Sequence, residues 1–214
     1  MSTKKQIDKK NIVKSIKQAA QTYKAKLVGR TFLYVFDDRY IEVIYKAENF
    51  RHLTGVDTTV PAKRFYKLAV QNKLESNQIF FSARHPFALC QKKLKHIMDI
   101  AAFASSESFM LEEICTDSYT YKFGTTDLSF TLCMGEDVDS AGNRKSSCYV
   151  VQSLRDEDCF NKSKDVYTVT HIFSKQNDEK KYTDLLFKDN SVDQNGIPAQ
   201  VKLLLSEELL YNSL

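Results

Sequence analysis

Apolar residues Ile12, Ile16, Ala19, Ala20, Tyr23 and Leu27 recur at spacings of three and four with lysines between them. That period predicts an amphipathic helix over roughly residues 7 to 27. After Gly29, TFLYVF is rich in β-formers, Asp37 and Asp38 supply turn chemistry, and YIEVIYK alternates with Ile41, Val43 and Tyr45 on one side. Together these segments predict a β-hairpin. Gly55 and Pro61 bracket an expected loop, and Pro61 stands well at the start of a second helix near 61 to 74. IFFSA is a candidate short strand. Pro86 opens a third helix near 86 to 104, in which Leu89, Leu94, Ile97, Met98 and Ala101 keep largely helical spacing.

From about residue 109 the period changes to two. FMLEEICT, YTYKFG, LSFTLCM, SCYVVQSL, VYTVTHIFS and YTDLLFK are candidate strands, separated by the turn-like GTTD, EDVDSAGNRK, DEDCFNKSK and KQNDEKK. Parallel neighbours need long crossovers, and no helical pattern lies between these segments, so an antiparallel meander is expected. The chain should close with a short helix capped by Ser206, with Glu207 and Glu208 favourable in its first turn. The expected class is α+β: an N-terminal helix and hairpin, and two further helices packed on a mainly antiparallel sheet formed by the second half. The expected division is a basic helix at 1–28 belonging to the same unit, an α+β domain at 29–190, and a C-terminal extension at 191–214.

Composition narrows the class. With 43% hydrophobic and 27% charged residues in 214, the chain should form one folded core, which excludes disordered and fibrous readings. No apolar run approaches the roughly 20 residues that span a bilayer, and no apolar stretch follows the first lysines, so a cytoplasmic protein with no membrane partner is expected. Cys90, Cys115, Cys133, Cys148 and Cys159 are odd in number and form no CxxC pair. Reduced thiols are expected, and neither a disulfide framework nor a zinc site. GxGxxG, P-loop, HExxH and GxSxG patterns are all missing, so no cofactor and no metal are expected. The formal charge of +4 is concentrated: residues 1 to 26 hold eight lysines against Asp8 alone, which leaves the rest of the chain net acidic. Such a patch either attracts phosphate or is simply a solvated helix face.

The histidines carry the candidate chemistry. His85 precedes Pro86 at a helix start and His96 sits among lysines, which places both as surface or capping residues. His171 alternates with Tyr167, Val169 and Phe173, so strand phase puts it on their sheet face, with Thr168, Thr170 and Ser174 on the other. His52 follows Arg51, near Thr54 and Gly55, with Lys63 and Arg64 a few residues on. This inventory suits cleavage of an RNA phosphodiester without metal, which needs a base, an acid and fixed cations near the phosphorane. Histidine titrates near neutrality, while arginine and lysine hold positive charge. The competing readings are a loop that packs Phe50, Leu53 and Phe65 with its charges outward, and a hydrogen-bonded core histidine at 171. Tyr119 and Tyr121 fit either base stacking or a packed sheet face.

NFRHLTGV followed by PAKRFYKLAVQNKL resembles the fourth group of phage-encoded Barnase/EndoU/colicin/RelE-like nuclease domains. Members look alike in an N-terminal strand pair, an F-x-HLTG-like turn, a helix with a Phe-Tyr pair and a largely β second half. The matching stretch is Phe32 to Leu74, with a looser likeness through THIFSK and KYTDLLF to Lys188. The resemblance implies helices packed on an antiparallel sheet, and a metal-independent endoribonuclease acting as a toxin or phage effector. It carries over His52 and Thr54 from the motif. Strand phase adds His171, Thr170 and Arg155. The expected site uses His52 or His171 as acid/base, Arg51, Lys63 and Arg64 to hold phosphate, and Thr54 or Tyr167 to orient the scissile group. RNA is the expected partner. A non-catalytic nucleic-acid or protein binder on the same fold, or an immunity or antitoxin partner, are the alternatives.

Overall fold

The computed structural model describes residues 4–117, 119–192 and 196–212. The first residues of the 1–28 segment and parts of the 191–214 extension lie outside the described residues. Helix α1 spans Lys4–Lys26. Its three-four pattern buries Ile12, Val13, Ile16, Ala19, Ala20 and Tyr23, and Leu27 just beyond its end is buried with them. Strands β1 (Arg30–Phe36) and β2 (Arg39–Ile44) form the expected hairpin, with Phe36 opposite Arg39. Asp37 and Asp38 both adopt positive φ, 48° and 55°. Such a turn has the backbone twist that suits paired strands, and aspartate tolerates it better than most residues.

The expected two further helices are four short ones: α2 (Phe50–Thr54), α3 (Ala62–Val70), α4 (Phe87–His96) and α5 (Ile100–Phe103). The region taken for a loop after residue 49 thus contains a helix, and the pattern near 86 to 104 breaks at Ile97. The IFFSA stretch forms only a single bridge, Phe80 to Asp57, rather than a strand. Seven strands follow: β3 (Phe109–Cys115), β4 (Thr120–Thr126), β5 (Thr131–Val138), β6 (Arg144–Arg155), β7 (Asp165–Thr168), β8 (His171–Gln176) and β9 (Asp184–Lys188).

All nine described strands belong to one sheet, in the order β7-β3-β4-β5-β6-β2-β1-β8-β9. The second half therefore does not form the sheet alone, because the N-terminal hairpin is inserted between β6 and β8. Every pairing is antiparallel except β2 with β6, where Val43 faces Tyr149 and Ile44 faces Val150. Parallel neighbours need a long connection, and the chain between β2 and β6 supplies it with α2 to α5 and three strands.

VYTVTHIFS is not one strand. Strand β7 lies at one edge of the sheet and pairs with β3, whereas β8 pairs with β1 near the other edge. Only Val169 and Thr170 join them: Val169 N–H donates to Ser108 O at 3.1 Å and Thr170 N–H to Val35 O at 2.9 Å. So short a link requires the sheet to roll until its two ends approach. The approach is visible in Phe36 of β1, whose ring lies 5.5 Å from Tyr167 of β7 and 6.1 Å from Phe123 of β4. Arg39 of β2 donates to Glu112 of β3 at 2.7 Å across the same seam.

The main core joins Phe32, Phe36, Val43, Phe123, Met134 and Ile172 of the sheet to Ile16, Tyr23, Leu53, Phe65 and Phe103 of the helices. On β1 the alternate residues Leu33 and Val35 face the other way, as the pleat demands. They join Phe173 and the C-terminal residues Tyr182, Ile197, Val201, Leu205 and Leu209 in a second cluster. Helices α6 (Ala199–Lys202) and α7 (Glu207–Asn212) carry part of that cover, and Ser206 Oγ accepts from Leu209 N–H at 3.3 Å as the expected cap. Among the described residues no helix is long and apolar enough to cross a membrane.

Candidate active site

Each residue of FRHLTG has a physical task. Phe50 and Leu53, three apart on α2, are fully buried and anchor the helix to the core. Thr54 is also fully buried; its Oγ1 donates to Arg51 O at 2.7 Å and accepts from Val56 N–H at 3.4 Å, which closes the helix end. Gly55 follows at φ 70°, the left-handed helix cap that favours glycine. A Cβ at Gly55 would lie 3.0 Å from Lys93 Cδ and 3.3 Å from Cys90 Cα. Glycine therefore also lets α4 approach α2 closely. With these residues inward, His52 is left exposed and Arg51 half-buried beside it.

His52 lines a cleft of about 340 Å³ with Asn49, Tyr119, Tyr121 and Gln152. Two cations adjoin it, and a third stands beside Tyr121 of the cleft. Arg51 Nη2 lies 3.5 Å from His52 Nε2. From beneath, Lys93 of α4 donates to His52 O at 3.2 Å. Arg155, at the end of β6, donates to Thr116 Oγ1 at 3.2 Å and lies beside Tyr121. Partial desolvation at the cleft wall and the charges of Arg51, Lys93 and His85 together lower the His52 pKa, so its imidazole is neutral at neutral pH. Burial and the nearby Arg155 push Lys93 down to about 8, although Cys133 and Cys90 pull the other way.

Neither Lys93 nor Arg155 makes an ion pair among the described residues, whereas their neighbours Lys92 and His96 both bind Asp156. Arg155 Nε is buried and has no hydrogen-bond partner among the described residues. Buried or half-buried cations without a carboxylate are costly, and such positions concentrate where a ligand supplies the missing charge. Near this cluster, His85 Nδ1 lies 2.6 Å from Asp57 Oδ1. Partial desolvation raises the Asp57 pKa, but hydrogen bonds from Ser82 and His85 and the nearby positive charges outweigh it, and the net shift is downward.

Of the residues expected from sequence, the structure brings together Arg51 and His52, with Thr54 holding the backbone beneath them, and sets Arg155 beside Tyr121 and Lys93. Lys63 and Arg64 are exposed on α3 and make no hydrogen bond or ion pair among the described residues. Tyr167 packs on Phe36 under the Arg39 guanidinium, 4.7 Å from its ring centroid, at the seam of the rolled sheet.

His171 is fully buried. It pairs with Val35, and Phe173 with Leu33, so both face the C-terminal cluster, while Tyr167 and Val169 belong to the main core. The strand-phase reading that put these four on one face is corrected: the break at Val169 and Thr170 reverses the alternation. Thr170 Oγ1 donates to Val35 O and lies 3.1 Å from His171 Nδ1, whose ring stacks on Phe173.

Lys93 and the His85–Asp57 pair are absent from the sequence-based site. Lys93 had a signal: it shares an inward stripe of α4 with Cys90 and Ile97, so a charged residue occupies a core position. His85 had none, because Asp57 lies 28 positions away. Among the described residues no group of three or more His, Cys, Asp or Glu side chains is placed to hold a metal.

An α+β domain with an exposed imidazole and three cations at one cleft has the groups that a phosphate-ester-handling enzyme needs. The family comparison agrees in class. A family model described as phage-Barnase-EndoU-ColicinE5/D-RelE like nuclease4 matches residues 15–191, and the chain belongs to this nuclease family. The matched region takes in most of α1, the hairpin, every cleft residue and the sheet through β9. No curated protein and no solved structure matches the chain.

Proposed function

We propose that this nuclease cleaves RNA by transesterification at the His52 cleft, using side chains alone. Neutral His52 takes the proton of a 2′-hydroxyl, and O2′ attacks the adjacent phosphorus. Arg51 and Arg155 stabilise the charge that develops on the phosphorane, with Lys93 adding its field from below. The P–O5′ bond then breaks, and the leaving oxygen takes a proton from an acid, for which the site offers Lys93 and the His85–Asp57 pair. The products are a 2′,3′-cyclic phosphate and a 5′-hydroxyl. The observation that carries this reading is the pairing of an exposed imidazole with two cations, Lys93 and Arg155, that have no carboxylate partner.

Incubating the purified protein with a mixed tRNA and mRNA pool in excess EDTA tests it, with folded His52→Ala alongside. Cleavage that survives EDTA, leaves cyclic phosphate ends and falls by about 10²- to 10⁴-fold in the variant is expected. Cleavage that EDTA abolishes, or that His52→Ala leaves intact, contradicts it.

A further inference from the structure

Resting on the reading of the His52 cleft as an RNA site, we infer that Tyr119 is a stacking platform for one unpaired nucleobase, so that the substrate is single-stranded RNA. Tyr119 is 53% exposed and lines the cleft together with His52. It stands just before β4, and its ring leans on Tyr121 at 4.8 Å and 58°. Tyr121 is buried, so it supports Tyr119 while leaving it open to the cleft. A sheet-packing tyrosine would be covered.

The main chain that carries the platform is hydrogen-bonded in place. Thr116 N–H and Oγ1 both donate to Tyr119 O, at 3.0 and 2.7 Å, and Tyr119 N–H donates to Thr116 Oγ1 at 3.2 Å. The same Thr116 oxygen accepts from Arg155. The main chain that carries the ring and the guanidinium that would take the phosphate are therefore both tied to one threonine. Such a link sets the spacing between base and phosphate within one nucleotide.

Gln152 of the same cleft carries an amide without a hydrogen bond among the described residues. Its amide lies over Gly135, where a Cβ would fall 2.6 Å from Gln152 Nε2, so a side chain at 135 would push the amide off this position. An unbonded amide offers both a donor and an acceptor to a base edge. A base inside an A-form duplex is stacked on its neighbours and cannot lie flat on a tyrosine, whereas an unpaired base can.

The test is fluorescence anisotropy with a labelled 2′-O-methyl RNA oligonucleotide, single-stranded or annealed to its complement. The blocked 2′-oxygen cannot attack, so binding is read without cleavage. Tyr119→Ala should weaken single-strand binding roughly 5- to 100-fold. Tyr119→Phe, which keeps the ring, should bind like wild type, and the duplex should bind more weakly and ignore both changes. Equal affinity for duplex and single strand, or a Tyr119→Ala protein that binds like wild type, overturns the inference. The two proposals fail separately. Cleavage without a Tyr119 effect removes the stacking platform alone, and Tyr119-dependent binding without cleavage removes the catalytic reading alone.

Discussion

His52 and His171 share one electrostatic sign and differ in everything else. Desolvation and neighbouring positive charge lower both pKa values, with Arg51, Lys93 and His85 acting on His52 and Lys188 on His171. Yet His52 is open to a cleft, whereas His171 lies sealed between β1 and the C-terminal cover. Among the described residues the cations near His52 lack carboxylate partners; beside His171, Asp189 opposes Lys188. A perturbed histidine thus marks a reactive site only where substrate can reach it and where nearby charge awaits a ligand.

The largest effect is expected at His52. Its alanine variant should lose about 10²- to 10⁴-fold in cleavage while its melting temperature hardly moves, because an exposed side chain leaves no cavity. Equal loss of stability and activity would make His52 a structural residue like His171. The pH profile of kcat/KM sharpens the same point, since it reports groups of the free enzyme. Activity should rise with pH through a value below the usual 6.5 as His52 loses its proton. It should fall near pH 8 as Lys93 loses its charge, and Lys93→Met should abolish that alkaline limb.

At His171 the effect should be on stability instead. Folding holds this imidazole neutral down to about pH 4, whereas the unfolded chain protonates it near 6.5. The unfolded state therefore binds the extra proton between these values. This contribution is complete above about pH 6.5 and falls away towards pH 4, by about 3 kcal/mol in total. Urea unfolding of wild type and His171→Phe across that window should show the slope in wild type and a shallower one in the variant. The smallest effect belongs to Gly55→Ala. The strained φ and the close approach of α4 should cost about 1–2 kcal/mol and displace His52 relative to Lys93, which urea unfolding and cleavage assays would each register.

What could be read from the sequence was local. The helix at Lys4–Lys26 and the hairpin at Asp37 and Asp38 are legible because their periodicity and turn chemistry lie within a few residues. Helix α2 is too short to show a period, and its N-cap Asn49 makes no side-chain capping bond. The break between β7 and β8 falls inside an unbroken alternation of β-formers, so only the pairing of Val169 with Ser108 and of Thr170 with Val35 reveals it. Within the site, FRHLTG is a contiguous segment and announces itself. Lys93 and Tyr119 reach His52, and Arg155 reaches Lys93, only through the docking of α4 on α2 and the insertion of the hairpin beside β6, which no local pattern encodes.

The most direct measurement places the two histidines side by side. Single-turnover cleavage of a single-stranded RNA in EDTA would be followed for wild type, His52→Ala and His171→Phe, each normalised to its folded fraction. Near wild-type rates are expected for His171→Phe and a loss of about 10²-fold or more for His52→Ala. Undiminished cleavage by His52→Ala, or loss confined to His171→Phe, would contradict the role assigned to His52.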